Sequence, residues 1–182
     1  MIDFTKIDQS WTLFLDRDGV INIENVGDYI TRWEDFRFYE GVQDALRQLG
    51  ALFGRIVIVT NQRGIAKGLM TGQDLQDIHT YMLGKIETAG GRIDRIYYCA
   101  DEGPNRKPSP GMAHQAKADF PEIDFAKSVM IGNTMSDMLF GKSVGMTTIF
   151  ISSNRPAPTL PDPVTDAVYP SLAVAVRAIT GR

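Results

Sequence analysis

Cysteine is almost missing from this chain. Cys99 is the only one in 182 residues, so no intrachain disulfide can form. Only two histidines accompany it, His79 and His114. Neither has a partner at metal-ligand spacing, so a Cys/His zinc cluster is excluded and both are read as structural. Apolar runs are short, and none approaches the ~18 residues of a membrane span. Met1 to Ser10 has neither a basic stretch nor an apolar one, so no secretory signal is expected. A cytoplasmic protein without membrane association follows as the expectation. Lys and Arg form no dense run and the net charge is −3. That weighs against a nucleic-acid partner, whose phosphate backbone is held by many cations.

What remains is ordinary globular material, 43% hydrophobic and 23% charged. A chain of this length buries roughly 70% of its unfolded surface without needing a disulfide or structural metal. One domain over residues 1–182 is expected, with no internal repeat and no low-complexity tract. Short β-like runs alternate with helical periodicity. Strands are predicted at Trp11 to Leu15, Arg55 to Val59, Arg95 to Tyr98, Ser128 to Ile131, Thr147 to Ile151 and Ala167 to Tyr169. Val42, Ala45, Leu46 and Leu49 share one helical face, as do Leu75, Ile78, Met82 and Ile86 behind a Thr71 N-cap. Ser109-Pro110 reads as the N-cap and first residue of a third helix. A last helix covers Ser171 to Ile179, after a loop from Arg155 to Pro163 that holds four prolines. Trp33, Phe36 and Phe38 are expected to pack as core. The alternation of β and α units predicts a Rossmann-like three-layer α/β sandwich, with a central, mainly parallel sheet and no large cap domain. Ligands of such sheets sit outside the carboxyl ends of the strands.

Four polar clusters follow predicted strands or open helices. Asp16-Arg17-Asp18-Gly19 ends the first strand. Residues two apart project to the same side, so two carboxylates can share a pocket there, a repulsion that a cation or a shared proton relieves. Thr60-Asn61-Gln62-Arg63-Gly64 ends the second, and its hydroxyl and backbone N–H groups can hold phosphate oxygens. Arg106-Lys107-Pro108 places two cations just before a helix start, where an anion is favoured. Asn133 to Asp137 follows the fourth strand, with the two residues on one face if the segment is helical; their oxygen-only chemistry suits magnesium rather than zinc. Each cluster alone is what a turn or helix cap also uses. Their order and placement together are informative.

Together they resemble the haloacid dehalogenase-like phosphatases, from about Leu13 to Ile151. The histidinol-phosphate and heptose-bisphosphate phosphatases are the most similar members. FLDRDGVIN (Phe14 to Asn22), VTNQRGIAKG (Val59 to Gly68), YYC (Tyr97 to Cys99) and RKPSPGM (Arg106 to Met112) carry the resemblance. It implies a magnesium-dependent phosphomonoester hydrolase acting on a small phosphorylated metabolite. Asp16 is then the nucleophile that forms an aspartyl-phosphate, and Asp18 the general acid and base, protonated at first by anionic surroundings. Asp16, the Asp18 carbonyl and Asn133 are implied magnesium ligands, with Asp137 behind them. Thr60 and Asn61 would hold the phosphoryl group and Lys107 offset its charge. Arg17, Glu24, Gln62, Arg63 and Arg106, with the loop from Glu24 to Tyr29, are implied substrate contacts.

Two departures from the family stand out. Cys99 matches the first ligand of a zinc loop, but Ala100 to Asn105 supplies no other, so no zinc is expected. Asn133 replaces the usual Asp, and the lost charge is expected to weaken magnesium binding. A polynucleotide 3′-phosphatase, which shares similar strings, and a non-catalytic phosphate-binding relative are the alternative readings. Without a cap domain, a monomer is expected.

Overall fold

The computed structural model describes residues 2–25 and 27–181; Val26, inside the candidate substrate loop, lies outside the described residues. All six expected strands form: β1 (Thr12–Leu15), β2 (Arg55–Asn61), β3 (Arg95–Cys99), β4 (Ser128–Gly132), β5 (Thr147–Ile151) and β6 (Ala167–Tyr169). They make one wholly parallel sheet in the order β3-β2-β1-β4-β5-β6.

Among the described residues five helices cover it: α1 (Val42–Leu52), α2 (Gly72–Thr88), α3 (Gly111–Asp119), α4 (Met135–Ser143) and α5 (Leu172–Thr180). Alternating strand residues divide the core. Leu13 and Leu15 pack with α1, α2 and α5, while Phe14 packs with α3 and with Phe140 of α4. Successive side chains leave opposite faces of a strand, so both faces of β1 must be apolar, and all four of its residues are buried. The result is the expected three-layer sandwich. Among the described residues, the connection from β1 to α1 carries one short 3-10 helix, Trp33–Asp35, and no inserted cap.

The order of the strands positions the site. From β1 the chain moves outward to β2 and β3, then returns to lay β4 on the other side of β1. At that reversal the connections diverge and leave a crevice beyond the carboxyl ends of β1 and β4.

Two local expectations need correction. Ser109 is not the cap of α3. Its N–H closes a turn on the Arg106 carbonyl (2.8 Å), and the helix starts one residue later, with the Pro110 carbonyl accepting from His114 N (3.1 Å). Of the aromatics near the first loop, Phe36 is buried, but Trp33 stays 44% exposed and stacks on Tyr81 at 5.3 Å.

Candidate active site

Asp16 stands at the tip of β1, its N–H donating to the Ile131 carbonyl of β4 (2.9 Å). Its Oδ1 accepts from Lys107 Nζ at 2.8 Å. The same ammonium reaches Asp137 Oδ1 at 2.6 Å and the Val59 carbonyl at 2.7 Å. Lys107 is almost wholly enclosed; it hydrogen-bonds Asp16 and the Val59 carbonyl, and its buried charge lies between two opposite ones, Asp16 and Asp137. The backbone of Lys107 is held in turn by Asn61. Lys107 N donates to Asn61 Oδ1 (3.0 Å) and Asn61 Nδ2 donates to the Lys107 carbonyl (3.1 Å).

Asp137 lies in the first turn of α4. Its Oδ2 accepts from the N–H and hydroxyl of Thr134 (3.0 and 2.7 Å), which caps the helix and fixes the carboxylate that Lys107 meets. Asn133 precedes the helix, so the two do not share a helical face as expected; the turn between β4 and α4 brings both to the crevice. Asn133 Oδ1 is buried with no hydrogen-bond partner among the described residues. A cavity of about 200 Å³ gathers Asp16, Asp18, Thr60, Lys107, Asn133 and Asp137. A second, of about 340 Å³, adjoins it and is bordered by Asp18, Glu24, Tyr29, Asn61, Lys67 and Arg155. A larger hollow of about 470 Å³ beside α1 and α5 includes none of these groups.

This geometry can be set beside known proteins. A family model described as HAD-hyrolase-like matches residues 104–175. The chain is 35% identical over 173 residues to the D-glycero-alpha-D-manno-heptose-1,7-bisphosphate 7-phosphatase of Mycobacterium tuberculosis, covering 91% of each chain. It is 34% identical over 192 residues to the D-glycero-D-manno-heptose-1,7-bisphosphate 7-phosphatase of Chlorobaculum tepidum, covering 93% of this chain and 92% of that one. The chain belongs to the haloacid dehalogenase-like phosphatases. A crystal structure of D,D-heptose 1,7-bisphosphate phosphatase from B. bronchiseptica, complexed with magnesium and phosphate, superposes with a TM-score of 0.84 at 25% identity, covering 94% of this chain and 98% of that one.

In this phosphatase, several residues expected to touch substrate also hold other side chains. Arg17 is 1% exposed. Its Nη2 lies 3.0 Å from both oxygens of Asp18, and its Nη1 lies 3.2 Å from His79 Nε2. Gln62 is buried and donates to Asp18 Oδ2 and Thr60 Oγ1, both at 2.8 Å. The side chain of Asn61 is taken by Lys107. The exposed Arg63 and the half-buried Arg106 flank Glu102, at 2.6 and 3.2 Å, and Arg106 Nη1 is buried without a partner among the described residues. Cys99 Sγ lies 3.4 Å from the Asp101 carbonyl.

The electrostatics follow from these contacts. Burial pushes the Asp16 carboxyl up to about 7 against the pull of the Lys107 ammonium, with Asp137 and Asp18 pushing the same way as burial. Burial alone would lower Lys107, but the Asp137 and Asp16 carboxylates raise it above the ordinary lysine value. Asp18 departs from expectation. Burial favours its protonation, yet the Arg17 charge and hydrogen bonds from Asn22, Arg17 and Gln62 outweigh it and hold the carboxyl below its usual range. The surroundings expected to be anionic are mainly donors. Burial and then the Arg17 charge push His79 down to about 3, leaving a neutral ring whose Nε2 can accept from Arg17.

Sequence reasoning missed the residues that close the site from β5. Ser153 donates to the Gly19 carbonyl at 2.6 Å, and Asn154 and Arg155 reach Glu24. A signal existed: in a parallel sheet, the residues after β5 emerge at the same end as those after β1.

Proposed function

We propose that this phosphatase hydrolyses a small sugar phosphate, in the first instance a heptose bisphosphate, through an aspartyl-phosphate at Asp16. The observation that carries this is the buried Lys107 ammonium lying between Asp16 and Asp137 in a crevice open to a ligand. The names of the similar proteins supply the sugar.

In the first step an Asp16 carboxylate oxygen attacks phosphorus, the ester P–O bond breaks, and the departing alkoxide takes a proton from Asp18. In the second, water attacks the phospho-aspartate, gives its proton to Asp18, and releases inorganic phosphate and the free Asp16 carboxylate. Asp18 therefore needs a proton at the start that the unliganded site disfavours. The negative phosphate of the substrate shifts that balance, because a nearby like charge raises a carboxyl pKa. Lys107 neutralises charge on Asp16 and the transferring group, while Asp137 and Asn61 keep it in place. The Thr60 hydroxyl is oriented by Gln62 to meet a phosphoryl oxygen.

The residues fit a magnesium ion. Asp16 and Asn133, with its partnerless Oδ1, line one crevice, and with the Asp18 carbonyl that the family resemblance implies they would form an all-oxygen set of the kind that ion prefers. Bound there, Mg²⁺ would supply positive charge to the transferring phosphoryl oxygens. Zinc has no part in this reading, since the loop from Ala100 to Asn105 adds no thiol or imidazole to Cys99. A cytoplasmic monomer goes with it. The polynucleotide alternative gains no support, because Arg106 and Arg155, which line the crevice, are paired to carboxylates.

A screen of phosphorylated metabolites with Mg²⁺, including heptose bisphosphate and histidinol phosphate, tests the proposal with Asp16→Asn as blank. Sugar phosphates should turn over, and Asp16→Asn should lower kcat by about 10³-fold or more. Turnover that survives Asp16→Asn, or a screen in which no sugar phosphate reacts, would refute it.

A further inference from the structure

One oxygen of Glu24 gathers donors from three residues. Its Oε1 accepts from Asn133 Nδ2 at 3.1 Å and Asn154 Nδ2 at 2.8 Å, and lies 2.9 Å from both Nε and Nη2 of Arg155. The remaining N–H of Asn133 points to Asn154 Oδ1 at 3.4 Å. Both donors of the Asn133 amide are thus taken up on one side, and its oxygen is buried and partnerless in a residue that lines the crevice with Asp16.

The orientation has a physical cause. An ionised carboxylate only accepts hydrogen bonds, so it meets the nitrogen end of an amide and repels the oxygen end. Glu24 sorts Asn133 directly, and it also turns the Asn154 amide so that Asn154 Oδ1 faces Asn133. Arg155 compensates the charge of Glu24. Gly19 closes the other side: at φ +86°, a Cβ there would fall 1.8 Å from Asn133 Nδ2, so the amide lies tight against main chain. An aspartate at position 133 would need no such help, because its two oxygens are equivalent. An asparagine rotated the wrong way would offer N–H donors to a cation.

We propose that Glu24 is a positioning residue for the metal site: its carboxylate, backed by Arg155 and Asn154, selects the Asn133 rotamer that presents oxygen to the cation. This rests on the reading of Asn133 as a ligand and gives Glu24 a role distinct from substrate contact. It also explains how a neutral ligand serves here, with the carboxylate placed one side chain further from the ion.

Calorimetric titration of Mn²⁺ into unliganded enzyme tests this without relying on turnover. Glu24→Gln should weaken Mn²⁺ binding by about tenfold or more, as loss of a residue that orients a ligand does. In an Asn133→Asp background the same substitution should change affinity by less than about threefold. Equal losses in both backgrounds would mean that Glu24 acts only through its charge, and no loss beside Asn133 would mean that it does not act; either result overturns the proposal. Asn133→Ala separates the two readings, since undiminished binding there removes Asn133 as a ligand altogether. If Glu24→Gln does not fold, a crystal structure of the wild-type enzyme with Mn²⁺ decides. Asn133 ligating through Oδ1 with Nδ2 still on Glu24 supports the proposal; Glu24 coordinating the ion, or a rotated amide, overturns it.

Discussion

Lys107 shows how narrowly the site is balanced. A buried ammonium costs several kcal/mol unless its partners are well placed, and here two hydrogen bonds and a second carboxylate at 2.6 Å surround it. Lys107→Met should leave Asp16 and Asp137 buried without their cation, costing about 3–5 kcal/mol in chemical denaturation and at least ~10²-fold in kcat. A variant that melts and turns over like wild type would contradict the arrangement. His79 supplies a pH test. Its folded pKa of about 3 lies below the ordinary 6.5, so the unfolded chain binds the proton first as pH falls. The associated stability is present above 6.5 and is lost on going from there toward 3. From about pH 8 to about pH 5, wild type should lose about 2 kcal/mol more than His79→Gln, whose amide oxygen can still accept from Arg17. The comparison must be with the variant, because the raised Asp16 pKa gives the opposite slope between 3.8 and about 7. Equal slopes in urea melts would show that His79 is not held neutral. At this scale Asp16 and Thr60 were legible as residue types at strand ends, and Lys107 as a cation before a helix. The side-chain partners of Arg17, Asn61 and Gln62 were not legible, because residue type does not say which neighbouring side chain a donor meets.

At the scale of elements, strand identity was written in short apolar runs, since a sheet covered on both faces needs apolar residues on both. Helix starts were less legible. Thr71 caps α2 as expected, in a reciprocal box with Asp74. Thr71→Ala should cost about 1 kcal/mol of stability and leave kcat/KM unchanged, because the cap lies outside the catalytic set; a matching loss of activity would show that α2 senses the site. The α3 cap failed by one residue because the turn at Arg106 to Ser109 takes up the serine. The β4–α4 junction couples fold and chemistry more tightly. A Cβ on Gly132 would sit 2.3–2.5 Å from the side chain of Asp137. Gly132→Ala should displace that carboxylate from Lys107 and lower kcat about tenfold or more, with a stability loss of about 1–3 kcal/mol. Unchanged kinetics would mean that Asp137 can shift without consequence.

At the scale of the molecule, a strand order that reverses beside β1 makes a crevice, and Asp16, Asp18, Lys107 and Asn133 reach it from three connections. A cation bound there should stabilise the whole fold by linkage. Mg²⁺ at ~100 times its Kd contributes about 2.7 kcal/mol, equivalent to a rise in Tm of about 5–11 °C for a chain of this size. Asp16→Ala with Asn133→Ala should abolish the rise, and a shift of equal size in that double variant would place the ion elsewhere.

The amino-acid order by itself determined the alternation of strands and helices, the parallel sheet, and which chemical groups stand at strand ends. These are local patterns of period two or 3.6, visible within a few residues. Only the tertiary structure decided what those groups face. Glu24 and Asn133 are 109 residues apart in the chain, and no local periodicity links them. Their pairing follows from the neighbouring connections of β1, β4 and β5 at one end of the sheet, where a buried amide must find partners for its N–H groups and leaves its oxygen toward the crevice.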